Sequence, residues 1–276
     1  MTFSTQIHER VLQVYSGSVK QACEAVGLDP LIESLYTSAF VVVTGGSVDV
    51  SIGGVTATYR VSNAPELGNL MALRRRERAV VERLLAEVLE GDVFWDVGAG
   101  IGAFSCLVGD AIGDGTVVAF EPYPPNVRRL RENLEANGIA HRVVPDALGS
   151  EMDQRTLYVV DTDEPGARYG SISPEYARVD DAVTRLTVET ATADELVAGG
   201  DVPRPDVVKI DVEGAAPEVL RGMDETMTVD GPRLLVVEPH DNRDQLERML
   251  SDRGFEIEHI TTSGEPRLFA RDPTAG

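Results

Sequence analysis

Short apolar runs alternating with stretches of helical periodicity organise the chain from residue 93 onward. Val93-Phe94-Trp95 stops at Asp96-Val97-Gly98, Val117-Val118-Ala119-Phe120 at Glu121, and Val143-Val144 at Pro145-Asp146-Ala147. Val207-Val208-Lys209-Ile210 stops at Asp211, and Leu234-Leu235-Val236-Val237 at Glu238-Pro239-His240. Runs of this length and composition read as buried parallel strands, and an acid or glycine at the end marks where each surfaces into a crevice. Helices are predicted over 103–112, 124–137 and 213–223, and Thr192-Ala193-Asp194-Glu195 is a capping box that opens another short one. The alternation specifies an α/β fold with a doubly wound, mostly parallel sheet covered on both faces. Residues 255–260 and 266–271 close it as an antiparallel hairpin at the edge.

A different pattern precedes residue 91. Ile7, Val11, Tyr15, Val19, Cys23 and Val26 form a helical stripe loosened by Ser16-Gly17-Ser18. Val48, Val50 and Ile52 alternate before Gly53-Gly54, and Val55, Ala57, Tyr59 and Val61 alternate after it, the signal of a two-residue hairpin. Residues 65–90 read as one long helix carrying Leu70, Leu73, Val80, Val81, Leu84, Leu85, Val88 and Leu89. The chain therefore divides into an N-terminal α+β extension, residues 1–90, and a catalytic α/β domain, residues 91–276. Arg74, Arg75, Arg76 and Arg78 make a basic cluster, read as a solvated face paired with Glu77 and Glu82, with an anionic-substrate patch as the alternative. Residues 161–181 lack periodicity and are rich in Asp, Gly, Ser and Pro, which makes them a candidate lid.

Charge changes the picture more than composition does. The formal net charge is -21 over 276 residues, and Lys20 and Lys209 are the lysines among 25 basic residues. Such a surface repels nucleic-acid phosphates and anionic lipid. Acidic excess with so little lysine resembles proteins of organisms that hold molar salt in the cytoplasm; an acidic mesophilic protein from a GC-rich genome is the other source of such a composition. No apolar stretch approaches the roughly 18 to 20 residues needed to span a bilayer, and the first residues lack the pattern of a secretory signal, so the expectation is a soluble, cytoplasmic protein. Cys23 and Cys106 read as buried thiols without disulfide or zinc chemistry.

The strand ends carry the chemistry. Gly98, Gly100 and Gly102, with Ala99 among them, can form a tight turn that opens a helix and exposes backbone N–H groups to a ligand. The pattern also satisfies the dinucleotide fingerprint, so nicotinamide cofactors stay open on that motif alone. Asp96 stands where a dinucleotide fold wants an apolar residue and can face the cation of a methionyl group. Glu121 lies about 20 residues beyond the first glycine, the spacing of an acid that accepts ribose hydroxyls. Asp146 can accept the adenine amino hydrogen or be a plain loop acid. Lys209, Asp211 and Glu213 alternate, so they share one side of their strand, and their burial demands partners. His240, at the end of the next strand, is a candidate base.

Taken jointly, Asp96-Val97-Gly98-Ala99-x-x-Gly102, Glu121-Pro122-x-Pro124-x-Asn126, Lys209-Ile210-Asp211-Val212-Glu213-Gly214, Val219-Leu220-x-Gly222 and Glu238-Pro239-His240 resemble the FkbM-type methyltransferase family over roughly residues 90 to 260. The family's members are class I enzymes with a seven-stranded Rossmann-like sheet that use S-adenosylmethionine to methylate hydroxyl oxygens of sugars, polyketides or other natural products. The resemblance implies that Asp96, Gly98 and Gly102 hold the methionyl end, Glu121 with Pro122 the ribose, and Asp146 with Ala147 the adenine, with Asn126 on the helix beside the adenosine. Two positions depart from the family's habit: Gly100 stands where Asn is common and Ala216 where an acid is common.

The expected activity is an O-methyltransferase acting on a hydroxyl of a small molecule, sugar or glycan. His240 is the candidate base, Asp211 the residue that orients substrate, and Lys209 the charge that balances Asp211 and Glu213. No metal is required by the spacing, although Asp211, Glu213 and His240 are of ligand type. An NAD-dependent oxidoreductase and a cofactor-binding protein without turnover are the alternatives.

Overall fold

The computed structural model describes residues 41–42, 44–160, 165–166, 170–172, 183–228, 231–261 and 266–274. The helical stripe expected over residues 7–26, Cys23 and Lys20 lie outside the described residues, as does most of the candidate lid.

The hairpin comes first: β1 (Ser47–Ile52) pairs antiparallel with β2 (Val55–Arg60), Ile52 opposite Val55 across the Gly53-Gly54 turn. Two helices follow, α1 (Ala64–Arg75) and α2 (Arg78–Leu85). The single helix expected over 65–90 is thus two, and its last residues are not helical. The N–H groups of Arg76 and Glu77 both bond to Ala72 O, at 2.7 and 3.1 Å, which closes the last turn of α1. Glu77 is drawn away to Arg267, 3.0 Å from its carboxylate. Apolar periodicity runs straight through this break because both helices bury the same face, through Leu70 and Leu73, then Val80, Val81 and Leu84.

Strands and helices then alternate: β3 (Val93–Val97), α3 (Ala103–Ala111), β4 (Thr116–Phe120), α4 (Pro124–Ala136), β5 (His141–Val144), and later β10 (Val207–Ile210), α6 (Ala216–Arg221), β11 (Leu234–Val237), α7 (Arg243–Ser251), β12 (Glu256–Ile260) and β13 (Arg267–Arg271). The seven-stranded sheet has the order β12-β13-β11-β10-β3-β4-β5, parallel except for β13, which is antiparallel to both neighbours. From β3 the chain winds outward to β4 and β5, then crosses back to β10 on the other side. The carboxyl ends of β3 and β10 therefore flank the switch point, where open sheets of this kind bind ligands. The helix expected over 213–223 is shorter, starting at Ala216, because 213–215 form a turn with Gly214 at φ 73°.

Strand alternation divides the core. Phe94, Val117, Val207 and Leu234 face the layer of α1–α4 and the hairpin, while Trp95, Val118, Val208 and Leu235 face α6 and α7. The hairpin is integral to the first layer: Tyr59 donates to Ala103 O at 2.7 Å, and the N–H groups of Thr58 and Arg60 are taken by Asn137 and Asn133, each at 2.8 Å. Those bonds also blunt the open edge of β2.

A second sheet was not evident in the sequence pattern. Strands β6 (Ala147–Leu148), β7 (Asp153–Val160), β8 (Gly170–Ser171) and β9 (Val183–Ala191) form a sheet of order β6-β9-β7-β8, followed by α5 (Ala193–Ala198). Leu157, Val159, Ile172 and Val188 pack there with Tyr123 and Ala215, so this sheet walls one side of the crevice. The capping box forms as expected: Glu195 N donates to Thr192 Oγ1 at 3.1 Å.

Candidate active site

A cavity of about 680 Å³ opens over the carboxyl ends of β3, β4, β5, β10 and β11. Its first wall is the turn after β3. Gly98 has φ 77°, and a Cβ there would lie 2.1 Å from Asp211 O, so only glycine lets the β3 and β10 ends touch. Gly98 N and Ala99 N donate to Phe120 O at 3.0 and 3.1 Å, and Gly100 N donates to Glu121 Oε2 at 2.8 Å. At Gly100, φ is 58° and a Cβ would meet nothing within 4 Å. The asparagine common at this position in the family resembled would therefore fit, since Asn tolerates this backbone.

Glu121 is buried at 7 % exposure, and its other oxygen accepts Tyr123 N at 2.9 Å. Burial pushes its carboxyl up to about 7, against the opposing pull of the Tyr123 and Gly100 N–H groups and of Asn126. Asn126, in the first turn of α4, accepts Gly166 N at 2.8 Å. Asn69 donates to Gly166 O at 3.2 Å and Asn63 to Pro165 O at 2.9 Å, so these two residues of the expected lid are tethered to α1 and α4. Asp146 and Ala147 line the cavity at the end of β5; burial, then Glu189, raise the Asp146 carboxyl.

The opposite wall is ionic. Lys209 Nζ lies 2.9 Å from Asp96 Oδ1 and 3.6 Å from Asp211 Oδ2. Burial opposes the charge on Lys209, but Asp96 and Asp211 outweigh it and the ammonium is held above its usual range. Burial likewise opposes ionisation of Asp211, yet Lys209 and His240 hold its carboxyl well below the usual carboxylate range. His240 has φ 41° and Asp241 φ 66°, left-handed backbone at two successive non-glycine residues, a strained turn of the kind found where geometry serves a site. It brings His240 Nε2 to 3.3 Å from Asp211 Oδ1 and 3.8 Å from Glu238 Oε2, and Nδ1 to 3.3 Å from Glu213 Oε2. Desolvation lowers the imidazole's proton affinity, but these three carboxylates prevail and lift its pKa to about 9. Burial and the adjacent Asp211 raise Glu238 to about 8.

Of the residues singled out in the sequence, Gly98, Ala99, Gly100, Glu121, Pro122, Asn126, Asp146, Ala147, Lys209, Asp211, Glu213 and His240 all line this one cavity. Asp96 and Gly102 do not. Asp96 is fully buried behind the wall, its second oxygen taken by Ser105 Oγ at 2.6 Å, so it reaches the cavity only through Lys209. Gly102, at φ 85°, caps α3, and a Cβ there would come within 2.7 Å of Leu130 Cδ1; its smallness serves the packing of α3 on α4. Ala216 is buried and Glu218 faces Arg155 at 3.5 Å, so neither lines the cavity.

Sequence reasoning gave Arg267 and Tyr123 no part in the site, quoted Glu238 only within a motif, and read Arg76 and Glu77 as a solvated pairing with an anionic-substrate patch as the alternative. Glu238 ends a strand as the other acids do, a signal that was available. Arg267 was not legible, because only the antiparallel insertion of β13 beside β11 brings its guanidinium within 2.7 Å of Glu238. Asp211, Glu238 and His240 each offer an atom within 4.8 Å of the others, a donor set of the type that holds a divalent ion.

A glycine-lined backbone loop, acids that can accept ribose and adenine hydrogens, and a rim of carboxylates suited to a cation fit an adenosyl sulfonium ligand. Residues 96–257 match the FkbM methyltransferase domain. The chain is 34% identical over 190 residues to the hexuronic acid methyltransferase AglP of Haloferax volcanii, covering 68% of this chain and 72% of that protein. It is 28% identical over 209 residues to the methyltransferase sdnD of Sordaria araneosa, covering 63% and 78% of the two chains. Among solved structures it is similar to Aeropyrum pernix fibrillarin in complex with S-adenosyl-L-methionine, at TM-score 0.47 and 14% identity over 82% of each chain. The match to the domain across more than half of the sequence makes this chain a member of the FkbM methyltransferase family, an enzyme that uses S-adenosylmethionine as methyl donor.

Proposed function

We propose that the enzyme methylates an oxygen of a sugar or another small polyhydroxylated acceptor, binding the cofactor against β3, β4 and β5 and the acceptor against β10, β11 and α1. The observation that carries this reading is the His240–Asp211 pair, 3.3 Å apart, in the same cavity that Glu121 and Asp146 line. Similarity to a hexuronic acid methyltransferase supports a sugar acceptor. Among the described residues before 91, Asn69, Ala72, Leu73, Arg76 and Glu77 line the cavity, and the reading keeps a division at residues 90 and 91 with this extension supplying part of the acceptor side.

When bound, S-adenosylmethionine supplies an electrophilic methyl carbon on a sulfonium cation. Gly98, Ala99 and Gly100 give backbone room for its methionyl part, Glu121 accepts from the ribose, and Asp146 with Ala147 meets the adenine. Asp211 and Glu213 would accept hydroxyl hydrogens of the acceptor and orient one of its oxygens toward the donor's methyl group, since positioning supplies most of the rate. His240 takes the proton that this hydroxyl loses, with Asp211 holding the ring in place. Lys209 keeps Asp211 ionised, and no metal is assigned a step. The reading is of a cytoplasmic enzyme with a small-molecule or glycan acceptor and no nucleic-acid partner, in keeping with the net charge of -21. Among the described residues no helix is long and apolar enough to cross a membrane.

Calorimetric titration with S-adenosylhomocysteine in molar KCl, followed by methyl transfer to a panel of sugars and glycosides, tests the proposal. Micromolar binding and transfer to at least one sugar oxygen are expected. Binding without transfer to any acceptor would overturn the catalytic part, and stabilisation by NAD without binding of the homocysteine nucleoside would overturn all of it.

A further inference from the structure

Among the described residues three long cationic side chains line the cavity, and two are committed. Lys209 is locked between Asp96 and Asp211, and Arg267 lies 3.0 Å from Glu77 and 2.7 Å from Glu238. Arg76 differs. It lines the cavity from the C-cap of α1, it is exposed, and its guanidinium has no hydrogen-bond or ionic partner among the described residues. Its backbone is nevertheless fixed: Arg76 N is bonded to Ala72 O at 2.7 Å, and the next residue, Glu77, is held by Arg267. Arg75 beside it is equally exposed but does not line the cavity.

Resting on the proposed function, the geometry points to Arg76 as the specificity residue of the acceptor site, pairing with an anionic oxygen group, carboxylate or phosphate, borne by the sugar. On the inner rim Asp211, Glu213 and Glu238 accept hydroxyl hydrogens, and the cations beside them, Lys209 and Arg267, are already held by carboxylates. The uncommitted guanidinium of Arg76 offers the anionic group of an acidic sugar a planar fork suited to two oxygens. In molar salt the Debye length is about 3 Å, so attraction at a distance is lost and only direct contact discriminates.

The test is the affinity of enzyme saturated with S-adenosylhomocysteine for methyl β-D-glucuronide, glucose 1-phosphate and neutral methyl β-D-glucoside, measured in molar KCl. Wild type should bind one of the two anions at least ~10-fold more tightly than the glucoside, about 1.4 kcal/mol. Which anion wins identifies the group. Arg76→Gln should reduce that ratio to within about twofold, Arg76→Lys should keep part of it, and Arg75→Gln, with the same change in net charge, should keep all of it. Equal affinity for all three sugars in wild type, survival of the preference in R76Q, or its loss in R75Q would overturn the assignment. So would binding of none of the three by enzyme that still binds the nucleoside. Failure to bind S-adenosylhomocysteine would instead sink the proposed function beneath it.

Discussion

Lys209 Nζ and Asp96 Oδ1 are 2.9 Å apart on adjacent parallel strands, β10 and β3, where the two residues are register partners. Both are almost wholly sealed from solvent. The pair forms the floor on which Asp211 stands, since Lys209 also reaches Asp211 Oδ2 at 3.6 Å. Removing one member of a buried pair strands the other charge, so Lys209→Met should cost about 3–5 kcal/mol. The double variant D96N/K209M, in which neither charge remains, should recover a large part of that loss. Urea unfolding in molar KCl measures both; a single variant as stable as wild type would show that the pair carries no such burden.

Glu121 offers a different kind of sensitivity. Its two oxygens each accept one backbone N–H, from Gly100 at 2.8 Å and Tyr123 at 2.9 Å, and Asn126 adds a side-chain hydrogen bond, which still leaves acceptor capacity for a ribose. Glutamine keeps the shape but turns an N–H₂ toward one of those donors, so Glu121→Gln should weaken S-adenosylhomocysteine at least about 10-fold. Because burial lifts this carboxyl to about 7, wild-type affinity should also fall as pH drops through 7, while the glutamine variant shows no such trend. Calorimetry between pH 6 and 8 reads both effects, and a wild-type affinity flat across that range would count against the assigned role.

His240 makes stability and turnover move in opposite directions. Its folded pKa of about 9 exceeds the ordinary 6.5, so the imidazolium contacts with Asp211, Glu213 and Glu238 stabilise the fold fully below pH 6.5. That contribution is lost as pH rises through 9. A base must be neutral to take a proton, so kcat/KM should rise over the same interval. His240→Gln should lower kcat by about 10²- to 10⁴-fold, flatten the rise in rate, and abolish the matching fall in stability. An unchanged pH profile for the rate in H240Q would remove the histidine from the proton's path.

The sheet and most of the candidate site were legible because β3, β4, β5 and β10 each announce their surfacing end with an acid or glycine. That signal is local. The break at Arg76 and Glu77 was hidden, since α1 and α2 both bury apolar residues in one core and the partner that holds Glu77 there, Arg267, is almost two hundred residues away in sequence. The second sheet was hidden for another reason: β7 and β9 flank the aperiodic segment 161–181, and pairing of Leu157 with Leu186 depends on register rather than composition. Asp96 was placed at the right depth of the fold but its partner was not foreseen, because alternation tells which side a residue faces and not whether a lysine from the next strand stands in front of it.

Salt dependence tests the reading of the acidic surface. With 46 acidic and 25 basic side chains, the folded chain concentrates like charge that the unfolded chain can spread apart. Surface pairs such as Arg78–Glu82 offset little of this, being solvated and exposed. Screening relieves the repulsion: the Debye length falls from about 10 Å at 0.1 M to about 3 Å at 1 M. Raising KCl from 0.1 to 2 M should therefore raise Tm by about 10 °C, roughly 3 kcal/mol for a chain of this size. Sucrose, which stabilises by exclusion and screens nothing, should not reproduce the steep rise below 1 M. A thermal melt as stable in dilute buffer as in molar KCl would mean that the excess acid is tolerated without salt.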